Sequence, residues 1–549
     1  MKSLILAFRY TQTAVYNPNK IKRDYIYSFP IGLSYISAVL KKSGQTVQCL
    51  NLNHCDGLIE DIIKEKLSNE NFDFIITGGL SPHYPDIKHC VEIIRKYAPR
   101  TKIILGGGII SAQPEIMFNL LRPDYAVIGE GELTVKELIE CIEKNDDINC
   151  VDGLIYRDSS TNLVFTKPRE YIKDVDTIPW PDYESLGFEE QLDHTKSSDV
   201  LYNIVDYPRI YPLLASRSCP FSCTFCYHPL GNKYRQRSVD NIIQELAYVI
   251  PRFKINIIFF YDELFAPNKA RIDEFCKKLK DLLKEIPWDV KWNCGMRVDS
   301  ITEEMIKTMK EAGCYHIGFG LESMSQKVLD SMKKRITPEQ IDNALRITAR
   351  NGIIGGGMFI FGDTAETVET ATKTLTYWKN NEGILGVIGL GFIILYQGTE
   401  NYKQAVKRGI IKDEIAFIED RVINNRGFKP INFTENMTDA EYKMLIYDVT
   451  SVYFTLKYYS LPIKNIQKNG VNEVHTKCPH CKQISVNKNY YLPQNFYYAS
   501  IYCKKCGHVY SLFSQKYRLV SIIFQVIGAK NLYNMNPVIK KVLKRIFNV

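Results

Sequence analysis

The sequence contains no apolar run long enough to cross a membrane. Its longest apolar stretches are Gly383 to Leu395 and Leu519 to Ala529, whereas a spanning helix needs about 18 residues or more. We also expect no cleavable signal peptide, because no small-residue cleavage site follows the short apolar run after Met1. We therefore expect a cytoplasmic protein without a spanning helix, in which clustered cysteines bind metals rather than form disulfides.

Acidic residues are absent from the end of the chain. Residues 511–549 contain seven Lys and Arg but no Asp or Glu, which leaves a net charge of only +2 for the rest of a chain that carries +9. Asn536 and Pro537 are typical of a helix start, and the sequence that follows has one apolar and one basic face. This basic helix is expected either to lie on an anionic membrane surface or to pack on the protein's own core.

Two series of alternating strand and helix patterns fill most of the chain. The first series, over residues 1–148, predicts an α/β domain with a doubly wound parallel sheet. The second, over 205–400, has six strand–helix units and predicts a partial (β/α)6 barrel with its site at the carboxyl ends of the strands. The remaining segments are predicted as a linker with a hairpin (149–204), a helical region (401–473), a cysteine-bearing module (474–510) and the basic helical tail (511–549).

The strand positions follow from the apolar runs and the Gly-rich turns between them. We predict strands at 3–8, 46–51, 72–77, 102–106 and 125–128 in the first series, and at 211–216, 255–260, 290–296, 315–320, 353–361 and 387–394 in the second. The turns Gly106-Gly107-Gly108 and Gly129-Glu130-Gly131 fall at the carboxyl edge of the first sheet, where a large ligand can approach the backbone.

Three closely spaced cysteines, Cys219, Cys223 and Cys226, follow the first strand of the second series. With 15 Cys in 549 residues, chance would produce this spacing roughly 0.01 times. Three thiolates on one short loop hold three irons of a 4Fe–4S cluster and leave the fourth iron open to a ligand. A zinc site with a distant fourth ligand, or buried structural cysteines, are the alternatives.

The CxxxCxxC pattern, with Phe225 before its last cysteine, resembles the radical S-adenosylmethionine (SAM) superfamily. This resemblance implies that SAM binds the open iron, with Phe225 beside the cofactors. It also implies SAM contacts at later strand ends: Asp262 and Glu263 to the amino group, Arg297 to the carboxylate, Glu322 and Ser323 to the ribose, and Gly357 beside the adenine. The chain departs from the family at Tyr261-Asp262-Glu263, where Gly-Gly-Glu is usual.

The Gly turns of the first series and the Ile178-Pro179-Trp180-Pro181 linker extend the likeness. Together with the cysteine loop they resemble the cobalamin-binding radical SAM family over roughly residues 1–400. The resemblance implies that cobalamin lies at the edge of the first sheet, along Gly106, Gly107 and Gly108 and along Gly129, Glu130 and Gly131. No Asp-x-His-x-x-Gly pattern follows the first strand, so we expect cobalt without a protein axial ligand. A domain that keeps the fold but binds no cobalamin is the alternative.

A second cysteine cluster lies in the module at 474–510. Cys478 and Cys481 form one CxxC pair and Cys503 and Cys506 form another. Four thiolates complete a closed tetrahedral shell, so the pattern predicts a structural zinc ribbon. A redox pair or a second iron–sulfur cluster is the alternative.

The resemblance implies a cobalamin-dependent radical SAM methyltransferase. Such an enzyme acts on an unactivated carbon or phosphorus centre through a 5′-deoxyadenosyl radical and methylcobalamin, with electrons from a donor such as flavodoxin or ferredoxin. A cobalamin-assisted oxidative cyclase or rearrangement enzyme, an RNA-modifying methylthiotransferase and a non-catalytic cofactor-binding scaffold are the alternatives. We expect a small-molecule or lipid-like substrate and no nucleic acid.

Overall fold

The computed structural model describes residues 1–9, 20–21, 23, 27–197, 203–266, 268–419, 430–468, 471–492 and 498–527. An N-terminal domain, a half-closed barrel and a C-terminal ribbon follow one another along the chain. The first sheet and the barrel share one continuous apolar core, which runs from Ile5 and Phe74 to Phe260 and Trp292. The two large units are therefore packed together rather than merely tethered.

The N-terminal domain is built on a seven-stranded sheet with the order β3-β1-β5-β6-β7-β8-β9. Its elements are β1 (Lys2–Ala7), β2 (Lys20–Ile21), α1 (Ile31–Lys42), β3 (Thr46–Asn51), β4 (Gly57–Leu58), α2 (Ile59–Asn69), β5 (Phe74–Gly78), α3 (Tyr84–Tyr97), β6 (Lys102–Gly106), α4 (Gly108–Ala112), α5 (Pro114–Leu121), β7 (Tyr125–Val127), α6 (Gly131–Lys144), β8 (Leu154–Arg157), β9 (Leu163–Phe165) and α7 (Phe188–His194).

Helices cover both faces of this sheet, as the sequence predicted. Leu4 and Leu6 of β1 belong to one apolar cluster, whereas Ile5 and Ala7 belong to the other, because successive side chains of a strand point to opposite faces. The strand order reverses between β1 and β5, so the carboxyl ends of these two strands border the crevice where doubly wound sheets bind ligands.

The predicted hairpin of the linker forms, but it is not part of a linker. Strands β8 and β9 pair antiparallel with β7 and with each other, so they extend the first sheet by two strands. The predicted end of the first domain at residue 148 therefore falls before its last two strands. The sequence did not reveal this because a hairpin's pattern gives no information about its neighbouring strand.

The barrel is a six-stranded parallel sheet with the order β10-β13-β14-β15-β16-β17, which confirms the predicted partial barrel. Its elements are β10 (Ile210–Leu213), β11 (Ser216–Arg217), β12 (Arg235–Gln236), α8 (Val239–Phe253), β13 (Ile257–Phe260), α9 (Lys269–Leu283), β14 (Lys291–Met296), α10 (Glu303–Glu311), β15 (Cys314–Glu322), α11 (Gln326–Ser331), α12 (Pro338–Arg350), β16 (Ile354–Phe361), α13 (Val368–Asn381) and β17 (Val387–Phe392).

Side-chain caps define where the helices between barrel strands begin. In each case the cap accepts a hydrogen bond from the amide three residues later, which satisfies a backbone donor that the helix leaves free. The capping residues of α8, α9, α10, α12 and α13 are Ser238, Asn268, Thr302, Thr337 and Thr367. These short polar residues fix the strand-to-helix turns above which the barrel's site lies.

The C-terminal region combines helices with two three-stranded sheets. Its elements are α14 (Glu400–Lys407), α15 (Glu414–Ile418), α16 (Asp439–Ser451), β18 (Tyr459–Ser460), β19 (Pro462–Lys468), β20 (Val471–Lys477), β21 (Ile484–Tyr490), β22 (Tyr498–Tyr502), β23 (Val509–Phe513) and α17 (Gln515–Ile527). The prediction of a helical region up to residue 473 was wrong for its last part, because β18 and β19 already belong to the ribbon.

The ribbon closes the amino end of the barrel. Tyr502 and Val509 pack against Ile257, Tyr315 and Ile354, which stand at or near the first residues of three barrel strands. A ligand therefore approaches the barrel interior from the opposite end, where the carboxyl ends of the strands face the N-terminal domain.

The tail is described only as far as α17. Three large aliphatic side chains, Leu519, Ile522 and Ile523, are exposed on this helix. The predicted basic helix from Asn536 lies outside the described residues, so contact with a membrane surface stays a prediction, which liposome co-sedimentation tests. Among the described residues, no helix combines the length and the apolar character that crossing a bilayer requires.

Candidate active site

The three cysteines of the first cluster lie on one loop between the paired strands β11 and β12. Cys223 is buried, and Cys219 and Cys226 are half-buried. The Cys226 amide donates a hydrogen bond of 3.1 Å to the Cys223 carbonyl, which makes the second half of the loop a tight turn. A hydrogen bond between the Cys223 and Cys226 side chains lowers the pKa of Cys223 and raises that of Cys226. Cys223 therefore favours the thiolate form that binds metals.

Two cations rest against the aromatic side chains of this loop. The guanidinium carbon of Arg297 lies 3.7 Å from the centre of the Phe221 ring, and Lys334 Nζ lies 5.9 Å from the centre of the Phe225 ring. Arg297 also donates hydrogen bonds to the Asp299 carboxylate at 2.9 Å and to the Lys334 carbonyl at 3.1 Å. The residue predicted to bind the SAM carboxylate thus joins the loop to the turn that carries Lys334.

The two carboxylates that follow β13 have different environments. Asp262 is buried and accepts hydrogen bonds from the Ser216 hydroxyl and from a backbone amide, and burial raises its pKa to about 7. Glu263 lies nearer the cysteine loop, because its carboxylate is 2.7 Å from Nδ1 of His228, two residues after Cys226. Asp262 therefore stabilises the strand before the cysteine loop by binding Ser216, and Glu263 contacts His228 after the last cysteine of the loop.

The last residue of β15, Glu322, forms a buried ion pair near the cysteine loop. Glu322 has a left-handed backbone (φ 58°), and its Oε1 is 2.7 Å from Lys334 Nζ with both side chains buried. Ser323 is buried as well, and its hydroxyl accepts a hydrogen bond of 3.1 Å from the Ser325 amide. Glu322 is thus linked to the cluster loop through Lys334, whereas Ser323 stabilises the turn after the strand.

Gly357 lets two barrel strands approach each other closely. A Cβ atom at this position would lie 2.5 Å from the Phe319 carbonyl oxygen. The next residue, Met358, is 47% exposed although it belongs to the interior strand β16, and it packs over Gly391 of β17. Met358 therefore faces the open interior of the barrel, a role that its apolar character did not indicate in the sequence.

The Gly turns of the N-terminal domain form a flat backbone surface at the carboxyl edge of the sheet. A Cβ atom at Gly78 would overlap the backbone of Gly106, and one at Gly107, whose φ is +83°, would lie 2.8 Å from the Gly79 carbonyl oxygen. Ile109 N donates a 2.9 Å hydrogen bond to the same Gly79 oxygen. Side chains at these glycines would separate the two turns, so glycine is required for the surface to exist.

The predicted cluster site and the predicted cobalamin site meet at Gly108. The hydroxyl of Tyr227, the residue after Cys226, donates a hydrogen bond of 2.9 Å to the Gly108 carbonyl. A Cβ atom at Gly108 would also lie 3.1 Å from the Tyr227 ring. The cysteine loop of the barrel is therefore in direct contact with the glycine surface of the first domain.

The turn after β7 also connects the first domain to the barrel through buried ion pairs, which the sequence did not indicate. Gly129 has φ +77° with open space where a Cβ would stand, but Glu130 is buried between Arg217 and Arg235, at 2.7 and 2.6 Å. Glu132 binds the other side of Arg217 at 2.6 Å. Both Glu130 oxygens are thus engaged with arginines on either side of the cysteine loop, so this buried carboxylate joins the two domains.

Two histidines near the sheet edge are engaged within the chain. His54 Nε2 lies 2.7 Å from the Tyr27 hydroxyl and its Nδ1 lies 3.0 Å from Glu190. His83 Nδ1 accepts a hydrogen bond of 3.1 Å from the Leu80 amide, and burial lowers its pKa to about 4. His83 therefore caps a turn as a neutral imidazole.

The four cysteines of the ribbon converge on one point. Their sulfur atoms all lie within 4.8 Å of one another, and this is the one such group of three or more metal-ligating side chains in the described part of the chain. The sulfurs of Cys478 and Cys506 are 3.8 Å apart, as are those of Cys481 and Cys503. This arrangement fits the tetrahedral shell of a structural zinc ion.

Replacing Cys481 by serine is expected to remove zinc and to lower the melting temperature of the whole protein. Structural zinc contributes about 10–16 kcal/mol to the folding of small metal domains, and the ribbon also closes the barrel. Elemental analysis and thermal denaturation measure the two effects. The matched control is Cys150→Ser, at an exposed cysteine outside both clusters; full zinc content in the Cys481 variant would refute the zinc assignment.

Several residues of the site were missed from the sequence. Tyr227 and His228 follow the last cysteine directly, and that position alone was a usable signal. Lys334 reaches the loop from a distant position in the chain, and Arg235 lies on the strand that ends the loop. No local pattern distinguishes either residue from a surface cation.

Two family models match the chain. The model described as the radical SAM superfamily matches residues 213–376, and the B12 binding domain model matches residues 25–139. The first match contains the whole cysteine loop and the barrel strands β13 to β16, and the second contains the Gly turns of the first sheet. Both therefore fall on the regions that meet at Gly108.

Curated relatives cover most of the two domains. The chain is 30% identical over 392 residues to an uncharacterised methyltransferase of Pyrococcus horikoshii, over 70% of this chain and 79% of that protein. It is 27% identical over 363 residues to the anaerobic magnesium-protoporphyrin IX monomethyl ester cyclase of Rubrivivax gelatinosus, over 64% of this chain and 62% of the cyclase.

A solved structure shares the fold. The radical SAM methyltransferase TsrM of Kitasatospora setae, whose structure contains cobalamin and a 4Fe–4S cluster, aligns with a TM-score of 0.58 at 17% identity. The alignment covers 74% of this chain and 75% of TsrM. At this identity the likeness concerns the fold, which agrees with the doubly wound sheet and partial barrel described above.

Proposed function

The chain belongs to the radical SAM enzymes that carry a cobalamin-binding domain, and we propose that it is a methyltransferase acting on an unactivated carbon or phosphorus centre of a small molecule. The observation that carries this proposal is the hydrogen bond between Tyr227 and Gly108. It brings the loop for the cluster against the surface for cobalamin, so one substrate between the domains reaches both. The 30% identity to a methyltransferase supports the same activity.

The residues of the two sites fit the cofactors that the family uses. Three cysteines on one loop offer three thiolates, and Cys223 already favours the charged form. The glycine surface has open space beside Gly129, and only Val127 lies within 4 Å of a Cβ at Gly106, which suits a large planar ligand. Gly107 and Gly108 pack against Gly79 and Tyr227 and allow the two domains to approach each other. When bound, the cluster would supply the electron that cleaves SAM, and cobalamin would carry the methyl group.

We assign the following roles to the chain's own residues. Cys219, Cys223 and Cys226 would hold the cluster, and Glu263 would accept a hydrogen bond from the SAM amino group in place of His228. Arg297 and Phe225 would shape the SAM pocket, and Gly129 would leave room for the nucleotide tail of cobalamin, whereas Gly131 packs against Ile36 of the domain's core. The electron comes from an external donor such as flavodoxin or ferredoxin, and the domain contact excludes water from the site.

Isotope labelling distinguishes methyl transfer from oxidative cyclisation, the second candidate, which the 27% identity to the ester cyclase favours. Anaerobic cells that produce the protein are fed methionine deuterated in its methyl group, and their small molecules are compared with those of cells producing the Cys223→Ala variant. We expect a compound in which one methyl group replaces a hydrogen atom, with all three deuterium atoms of the label retained. A compound that depends on Cys223 but gains no methyl label would favour the cyclase instead.

A further inference from the structure

A buried lysine lies beside the cysteine loop and has no role in the assignments above. Lys334 is 9% exposed, and its Nζ lies 2.7 Å from Glu322 Oε1. Its Nζ lies 5.9 Å from the centre of the ring of Phe225, the residue directly before Cys226. The Thr224 amide, between Cys223 and Phe225, donates a hydrogen bond of 3.1 Å to the Met332 carbonyl, two residues before Lys334. The ammonium group therefore lies against the second half of the cysteine loop.

The surrounding backbone holds this ammonium group in place. Lys333 and Arg335, on either side of Lys334, both have left-handed backbones, with φ of 55° and 54°, a conformation that residues with a side chain rarely adopt. Arg297 donates a hydrogen bond to the carbonyl of Lys334. A Cβ atom at Gly320 would overlap Nζ, so the side chain occupies space that only glycine leaves free. Lys334 is thus a fixed charge and not a mobile surface lysine.

Lys334 stands between the partner carboxylate and the aromatic ring of the loop. Its Nζ is 2.7 Å from Glu322 Oε1 and 5.9 Å from the centre of the Phe225 ring. The loop is also contacted by Arg297 at Phe221, whose charge is shared with Asp299. Cations and carboxylates thus both surround the loop, with Glu263 on its His228 side, so the loss of one buried charge would shift the balance between them.

We propose that Lys334 raises the reduction potential of the 4Fe–4S cluster, with Glu322 as the opposing charge. The inference rests on the proposed function, since it requires the cluster on Cys219, Cys223 and Cys226. Reduction adds an electron to a group that three thiolates already make negative, and net charge is among the factors that set such potentials. A buried cation acts strongly because little water screens it. Lys334 would thereby allow a weaker electron donor to reduce the cluster.

The test is a potentiometric titration of the reconstituted full-length protein without SAM, followed by electron paramagnetic resonance. For Lys334→Met we expect the ratio of reduced to oxidised cluster at a fixed potential to fall at least about tenfold, which is about 59 mV for one electron. For Glu322→Gln we expect the ratio to rise. Lys334→Arg should restore the wild-type value, and Lys333→Gln, at an exposed lysine paired with Glu400, should leave it unchanged.

The two opposite shifts separate an effect of charge from structural damage. Damage to the loop would shift the reduction potentials of Lys334→Met and Glu322→Gln in the same direction, and that result would overturn the inference. Unchanged potentials in variants that keep their iron would also overturn it. If the Lys334→Met variant loses its iron, the other two variants test the inference. The ratio of reduced to oxidised cluster should then rise in Glu322→Gln and stay at the wild-type value in Lys333→Gln. Wild-type protein that takes up no iron would instead overturn the proposed function, so the two failures are distinguishable.

Discussion

Replacing Cys223 by alanine is expected to reduce the formation of 5′-deoxyadenosine from SAM to the level of a protein-free control. Cys223 is the buried member of the three cysteines, and its pKa is lowered by its hydrogen bond with Cys226. Two thiolates on the loop cannot hold three irons of a cubane cluster. Without the cluster, SAM has no open iron and no electron, and cleavage stops at its first step.

The measurement is anaerobic reconstitution of the variant with iron and sulfide, followed by chromatography of the SAM products after reduction. Cys150→Ala is the matched control, because this cysteine is exposed and belongs to neither cluster; it should cleave SAM at the wild-type rate. Zinc content and melting temperature of the Cys223 variant should remain close to wild type. Undiminished cleavage in the Cys223 variant would contradict the assignment of the loop.

Replacing Glu130 by glutamine is expected to lower the free energy of unfolding by about 3–5 kcal/mol, the usual cost of breaking a buried ion pair by removing one partner. The Glu130 carboxylate binds Arg217 and Arg235 and also accepts the Ile172 amide at 2.9 Å. Its neutralisation leaves buried guanidinium charge between the first domain and the barrel. Glu132 would neutralise only part of this charge, because it contacts Arg217 but not Arg235.

Urea denaturation of the variant checks this value, with Glu140→Gln as the control. Glu140 forms an exposed pair with Lys136 one helical turn away, at 3.8 Å, and such pairs contribute about 0.3–0.5 kcal/mol. We also expect the Glu130 variant to retain less iron after gel filtration, because Arg217 and Arg235 stand on the two strands that flank the cysteine loop. Equal stability of the two variants would show that the network does not hold the domains together.

Strand positions were predictable where an apolar run is bounded by turn residues. The runs Thr46–Asn51 and Lys102–Gly106 were predicted with the bounds that the structure has. Lys102–Gly106 is a buried inner strand with a continuous apolar segment, whereas Thr46–Asn51 is a half-buried edge strand. The attachment of the predicted β8–β9 hairpin to the first sheet and the early start of the ribbon were not predictable in the same way. Their pairing partners are strands from other parts of the chain, and periodicity within a segment carries no information about them.

The site was predictable only where its residues are close in sequence. The cysteine loop and the Gly turns are local patterns, so the spacing of their residues is enough to indicate the chemistry. Glu130 was predicted to face cobalamin because it lies within a Gly turn, but two arginines of the barrel occupy both of its oxygens. Lys334 was missed for the converse reason, since tertiary packing alone brings it to the loop.

Metal analysis of protein that has been purified and reconstituted without air tests the central claim most directly. The claim is that one molecule holds a cluster on the barrel loop, cobalamin on the adjoining glycine surface and zinc in the ribbon. We predict about four irons, one cobalt and one zinc per chain, with iron lost selectively in the Cys223 variant. Protein that contains its full zinc but binds no iron would contradict the account, whereas iron without cobalt would remove only the methyl carrier.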